Sequence, residues 1–162
     1  MAGHDPLTEK VRRFLRLPPA QRATVLRAAS LFLLTRVGLR AMGFRRWKEL
    51  IGRLLVPGRP AQDVEPAAQF EIATQILRAV KSVELHGPLT PNCLERSMVF
   101  WFLLRRAGVD GQLHIGARKN GSRLEAHAWV ELAGQVLNDT TDVHQHYARF
   151  DAPIAAAEAD SR

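Results

Sequence analysis

Cysteine is almost absent: Cys93 is the only one in 162 residues. A single thiol excludes an internal disulfide framework and a Cys-rich zinc site, so nothing asks for an oxidising compartment. Long apolar runs are missing too. Towards the N-terminus the longest uncharged one, Ala28 to Thr35, is far too short to cross a bilayer. Met1–Pro6 carries no apolar signal segment. The expected location is cytoplasmic, with peripheral membrane contact left open. Acidic residues are scarce, 16 against 23 Lys and Arg, for a net charge of +7. Such a balance favours acidic partners: an acidic peptide, an anionic membrane surface or nucleic acid. Nucleic acid is set aside, because there is no convincing reading helix, RNA-binding aromatic signature or zinc-finger spacing.

What is present suffices for a core, with 46% apolar residues. The pattern predicts an α+β chain in three parts. Residues 1–60 form a basic helical region, 61–151 a core with a central helix against a small antiparallel sheet, and 152–162 a frayed tail. Residues 1–6 read as disordered and 57–65 as a linker. A basic amphipathic segment, Leu7 to Leu17, closes at Pro18-Pro19. The next helix is expected from Ala20 to Leu39 or Met42, on a wide apolar stripe through Val25, Leu26, Ala29, Phe32, Leu33 and Val37. Gly43 reads as a break before a further segment, Arg45 to Val56. Pro66 opens a helix from Ala67 to about Val83.

The chemistry concentrates after Gly87-Pro88. Thr90 or Asn92 can cap a helix from Cys93 to about Ala107, and Asn92 with Glu95 has capping-box spacing. Cys93 thus falls in the first turn, where free N–H groups and the helix dipole favour a thiolate. Those N–H groups are also suited to an oxyanion. Asn92 is either a cap or a further oxyanion donor. The run Met98–Leu104 marks this helix as central and buried. Three strands are expected: Gln112 to Arg118, Arg123 to Glu131, and Gln135 to Thr140. His127 lies on the second and Asp139 on the third. A thiol attacking a carbonyl needs an imidazole to move its proton and a carboxylate to orient that ring. Cys93, His127 and Asp139 fit these roles, with Asn138 as fallback for the third.

Register decides whether the three can meet. A three-residue loop Leu132-Ala133-Gly134 would set Asp139 opposite His127; a two-residue loop Ala133-Gly134 would set it opposite Ala128, facing away. The triad therefore predicts the longer loop or a compensating bulge. A two-residue Asn120-Gly121 turn would place His114 opposite His127. Trp129, His114 and Asn138 are cleft-lining candidates, although His114 also reads as a partly exposed sheet histidine.

Cys93-Leu94-Glu95-Arg96-Ser97, the apolar helix ending Leu103-Leu104-Arg105-Arg106-Ala107-Gly108-Val109, Ala126-His127-Ala128-Trp129-Val130-Glu131 and Val136-Leu137-Asn138-Asp139 closely resemble the transglutaminase-like cysteine peptidases of lasso-peptide biosynthesis. The likeness covers roughly residues 80–140. It implies a papain/transglutaminase-type core with Cys93 as nucleophile, His127 as base and Asp139 as orienting carboxylate. It also implies removal of the leader from a ribosomally made leader–core precursor, with no cofactor. The partners implied are a small separate leader-recognition protein and an ATP-dependent lasso cyclase. No three-stranded winged-helix pattern occurs in the first 60 residues, so the recognition protein is expected in trans.

Two other functions remain in view: acyl transfer to an amine on the same scaffold, and a non-enzymatic basic helical scaffold. A metal site from His144, His146 and Asp142 lacks a completing Cys or carboxylate cluster and is disfavoured.

Overall fold

Proline and glycine punctuate the chain where its helices begin and end. The computed structural model describes residues 6–54 and 65–150. Of the disorder expected for 1–6 only Pro6 is described, and it is helical; of the linker expected for 57–65 only Glu65 is described, directly before the helix at Pro66; the rest of both, and the frayed tail, lie outside those residues. Helix α1 (Pro6–Arg16) stops before Pro18, and α2 (Pro19–Leu54) starts on the second proline of the pair. The backbone leaves helical geometry at Gly43 (φ 75°, ψ 172°), a positive φ that suits glycine, so α2 consists of two arms. The second arm brings the Trp47 ring against the first at Gly38. A Cβ at Gly38 would stand 2.1 Å from Trp47 Cε3, so glycine is a steric necessity there.

The first arm buries Ala28, Phe32 and Thr35, while Leu26, Leu33 and Val37 stay exposed. The stripe expected from the sequence is wider than the surface available to cover it. Arg36 sets the rotation by pairing with Glu95 across the core. Helix α3 (Pro66–His86) presents Ala73, Ile76, Val80 and Val83 inward and ends where the Gly87 N–H donates to the Val83 carbonyl.

Helix α4 (Cys93–Arg106) matches its expected span. Asn92 Oδ1 accepts from the Glu95 N–H at 2.8 Å, and Glu95 Oε2 accepts from the Asn92 N–H at 3.2 Å, so the capping box is closed. Every residue from Ser97 to Leu104 is buried. One continuous core runs from Phe32 of α2 through Val80 of α3 and Phe100 of α4 to the sheet residues Leu113, Val130 and Leu132.

The sheet has four antiparallel strands in the order β3-β2-β1-β4. These are β1 (Gln112–Asn120), β2 (Arg123–Leu132), β3 (Gln135–Val136) and β4 (Ala148–Arg149), with the one-turn helix α5 (Val143–His146) before the last. The first hairpin register differs from expectation, and the second takes the shorter of the two loops weighed. Asn120 pairs with Arg123, so the first turn is Gly121-Ser122, one residue later than expected. Gly121 takes the positive φ (61°), and Asn120 remains in the strand. His114 consequently faces Trp129, and Gly116 faces His127. The second turn is the two-residue Ala133-Gly134, both at positive φ (48° and 78°), the alternative in which the triad needs a compensating distortion of the strand.

Candidate active site

A two-residue turn should point Asp139 away from His127, yet their side chains meet. The ladder explains this. The Leu137 N–H still donates to the Val130 carbonyl at 2.9 Å. The Val130 N–H, however, donates to the Asn138 side chain at 2.7 Å instead of to a main-chain carbonyl. Pairing of β3 therefore stops after Val136, the chain bends over residues 137–139, and strand alternation no longer governs Asp139. The bend supplies the compensation that a bulge was expected to give. Asp139 Oδ2 lies 2.5 Å from His127 Nε2, and Oδ1 accepts from the Thr140 N–H at 2.8 Å. With both carboxylate oxygens engaged, the imidazole is held through Nε2. Nδ1 is then the ring nitrogen left to face a reacting group.

Asn138 does more than end a strand. Its Nδ2 donates to Ser97 Oγ at 2.8 Å, and Ser97 Oγ in turn donates to the Ala128 carbonyl at 2.8 Å. Ser97 is 0% exposed and Asn138 8%. One buried chain of hydrogen bonds thus links α4, β2 and the bend that carries Asp139. Cys93 sits one turn before Ser97, on the same side of α4. Ala128 directly follows His127. The thiol-bearing turn and the imidazole are therefore anchored to adjoining backbone. Two apolar neighbours would tolerate sliding, whereas these bonds fix position along the strand.

Cys93 opens α4, partly buried and free of any disulfide. The capping box consumes the Glu95 N–H, and the Arg96 N–H bonds the Asn92 carbonyl. The Cys93 and Leu94 N–H groups remain as first-turn donors with no intrahelical acceptor. Of the two roles open to Asn92, its Oδ1 shows capping. Thr90 is not the cap; its main-chain carbonyl accepts from Arg36 Nη2 at 2.7 Å. The same guanidinium grips Glu95 with two bonds, Nε–Oε1 3.0 Å and Nη2–Oε2 2.8 Å. Arg36, first through these bonds, holds the Glu95 carboxyl below its ordinary range, against the opposing effect of burial. The basic helix α2 thereby braces both the start of α4 and the loop leading into it.

The cleft-lining candidates lie deeper than expected. Trp129 is 0% exposed and His114 4%, so neither lines an open surface, and His114 is not the partly exposed sheet histidine anticipated. Their rings stack with centroids 5.8 Å apart. Burial, chiefly, lowers the His114 pKa below its ordinary value, partly offset by Glu131, whose Oε2 is 3.6 Å away. Asn138 is spent on its buried network. The segment from α5 through β4 covers this side of the sheet. Tyr147 stacks on His127 at 4.8 Å, His144 meets Trp129 edge-on at 5.9 Å, and Arg149 donates to Glu131 Oε1 at 2.8 Å. Glu131 also accepts from Trp129 Nε1 at 2.6 Å. Gly116 makes room for this cover, because a Cβ there would meet the Ala148 carbonyl at 2.9 Å and Trp129 at 3.0 Å.

Sequence reasoning did not single out Ser97, Glu131 or Tyr147. Ser97 had a signal: it is the hydroxyl one turn after the cysteine, at the edge of a wholly apolar run. Tyr147, the only tyrosine, had none beyond rarity. His144 and His146 lie on a helical turn; His146 pairs with Asp142 and His144 with Glu131 and Arg149. Among the described residues no group of three His, Cys, Asp or Glu side chains is placed to hold a metal ion.

A cysteine at the start of a buried helix, packed on an antiparallel sheet that carries a carboxylate-bonded histidine, defines a class of thiol acyl-transfer folds. Residues 38–151, more than half of the chain, match the transglutaminase-like superfamily, and the chain belongs to it. That superfamily is compatible with both cysteine peptidase and acyltransferase activity. No curated protein and no solved structure matches the chain.

Proposed function

We propose that this chain is a cysteine peptidase that removes the leader from a ribosomally made lasso-peptide precursor. The observation that supports thiol acyl-enzyme chemistry is the His127 Nε2–Asp139 Oδ2 contact, set on a strand bonded to the cysteine helix through Ser97. The likeness of residues 93–109, 126–131 and 136–139 to lasso-pathway peptidases supports the substrate class. Leader recognition is assigned to a separate small protein, since the described part of the first 60 residues is helical and holds no strand that could seat a leader by β-augmentation. The cyclase acts on the released core peptide. Among the described residues no helix is long and apolar enough to cross a membrane.

In this mechanism the Cys93 thiol passes its proton to His127 Nδ1 as sulfur attacks the scissile carbonyl carbon. Asp139 holds the ring and offsets the charge of the imidazolium. The carbonyl oxygen becomes an oxyanion beside the free Cys93 and Leu94 N–H groups. The imidazolium then protonates the leaving amine, the C–N bond breaks and a thioester remains. Water, deprotonated by His127, attacks the thioester and expels the thiolate, which recovers its proton.

Superfamily membership favours one second reading, in which an amine replaces water at the last step. Mass spectrometry of a precursor incubated with the chain and its recognition protein separates the two. Cleavage at one bond, lost in Cys93→Ala, supports the peptidase. Loss of ammonia with a new cross-link makes the chain a transferase. Turnover retained in Cys93→Ala would remove Cys93 as the nucleophile, and a Cys93→Ala variant that keeps the protein's cellular effect with no turnover in either form would make the chain a scaffold.

A further inference from the structure

At the other end of α4 from Cys93 lies a cavity of about 450 Å³ between the first arm of α2, α3 and α4. It is lined by Leu103 and Arg106 of α4 and by Ala107 just after it, so it begins ten residues from the cysteine, about 15 Å along the helix. It is therefore separate from the site built around His127. Val25, Ile76 and Leu103 contribute apolar lining, and Arg27, Arg78 and Arg106 come from three different helices. All three arginines are exposed, and among the described residues no carboxylate lines the cavity. The first arm of α2 contributes none, because no Asp or Glu occurs between Glu9 and Glu49. Gln21, Thr24 and Gln75 complete the polar lining.

We propose that this groove docks an acidic segment of a partner polypeptide, which places one or two aliphatic side chains inside and carboxylates against the three arginines. The volume lies within the range of ~300–1,000 Å³ typical of specific pockets and admits a few side chains, not a folded domain. Cations on three separate helices call for several carboxylates at different positions, which a peptide carries and a single fatty-acid headgroup does not. Thr24 Oγ1 donates to the Ala20 carbonyl at 3.1 Å and Gln75 Nε2 to Glu71 Oε1 at 3.4 Å, so the Gln21 amide is the polar group of the lining that suits a peptide main chain. The C-terminal dipole of α4 opposes an anion here with roughly half a charge, and three full positive charges outweigh it. This inference stands on the groove alone and does not depend on the peptidase reading.

The test is fluorescence anisotropy with a labelled synthetic peptide in which Glu-Glu pairs alternate with leucine, run against the full chain. The expected result is binding that weakens at least tenfold when Gln replaces Glu or Ala replaces Leu in the probe. The double variant Arg78→Glu/Arg106→Glu should lose binding to the same degree. Ser82→Trp, which fills the groove without changing charge, should lose it too. Alkylation of Cys93 should leave binding unchanged. Both variants are checked for native circular dichroism and for wild-type thiol labelling of Cys93. Absence of binding, or binding indifferent to both groove variants, overturns the proposal. So does loss of binding on Cys93 alkylation, which would put the probe in the cleft. Capture of phosphatidylglycerol vesicles but not peptide would make the face a lipid surface. Binding that appears only after truncation at Phe150 would make the chain's own acidic 151–162 segment the occupant.

Discussion

Along β2 the residues Ala128, Val130 and Leu132 alternate with His127, Trp129 and Glu131, and the two sides are buried by different physics. The first side joins Leu113 and α4 in an ordinary apolar core. Any side chain of the right volume can contribute there. The second side is covered by directed contacts. Glu131 takes bonds from Trp129 and Arg149, Tyr147 lies on His127, and His127 meets Asp139. Damage to the first side should therefore cost stability and spare the chemistry. Damage to the second should reach the chemistry even where the fold survives.

The largest effect is expected from Asp139→Asn. An amide cannot offset an imidazolium as a carboxylate does, and it can hold the ring in the wrong tautomer. On the proposed mechanism kcat falls by about 10³–10⁴-fold, with KM and thermal midpoint little changed. Steady-state kinetics on the precursor, beside a melting curve, read this directly. An Asp139→Asn protein that turns over normally would remove Asp139 from the mechanism.

Leu113→Ala probes the apolar side. Leu113 is 0% exposed and faces the core. Its truncation should cost about 2–5 kcal/mol of unfolding free energy. Single-turnover chemistry under native conditions should stay within a few-fold of wild type. A hundredfold loss of chemistry at unchanged fold would end the distinction between the two sides.

How far these two sides could be read in advance follows the same division. Period-two alternation marked the strand, and the capping pair Asn92 and Glu95 marked the start of α4, because both signals are local. The rotation of α2 was not local: its wide stripe allowed several solutions, and the ion pair with Glu95 selects one that leaves Leu26, Leu33 and Val37 outside. Neither hairpin register was legible. Asn120-Gly121-Ser122 offers two turns one residue apart; Gly121 has a positive φ in either, and the choice rests on Asn120, which keeps strand geometry and pairs with Arg123. His127 and Asp139 could be named from residue type and chain order. Their route to each other could not, since it depends on an asparagine side chain replacing a main-chain acceptor. The cover from Val143 to Arg149 is too short to show any period, and its partners lie far away in the chain.

Asn138→Ala sits where the two sides join. It strands the Val130 N–H and removes a donor to Ser97 Oγ, both buried. A cost of about 1–3 kcal/mol is expected for the orphaned group, and the bend that delivers Asp139 loses its anchor. Turnover should therefore fall together with stability, unlike in Leu113→Ala. A double-mutant cycle with Ser97→Ala should show coupling, because each variant removes part of one network. Strict additivity would mean that the bend holds itself.

The smallest effect concerns pH and the brace at the start of α4. The folded Glu95 carboxyl is held below its ordinary value of 4.5, first by its bonds to Arg36. A depressed carboxyl binds fewer protons folded than unfolded. Its contribution is therefore complete above the ordinary value and is lost as pH falls through the folded one. His114, depressed below its ordinary 6.5 mainly by burial, acts in the same direction at higher pH. It is buried neutral against Glu131, with Arg149 and His144 nearby, so stability declines once the unfolded imidazole begins to charge. Urea midpoints should thus fall in two limbs on acidification, the first below about pH 6.5 and the second through the carboxylate range. His114→Phe should flatten the first limb alone and Arg36→Gln the second alone. If Arg36→Gln kept the full acidic limb, the Arg36–Glu95 pair would not be its source, and the brace on α4 would contribute geometry without measurable free energy.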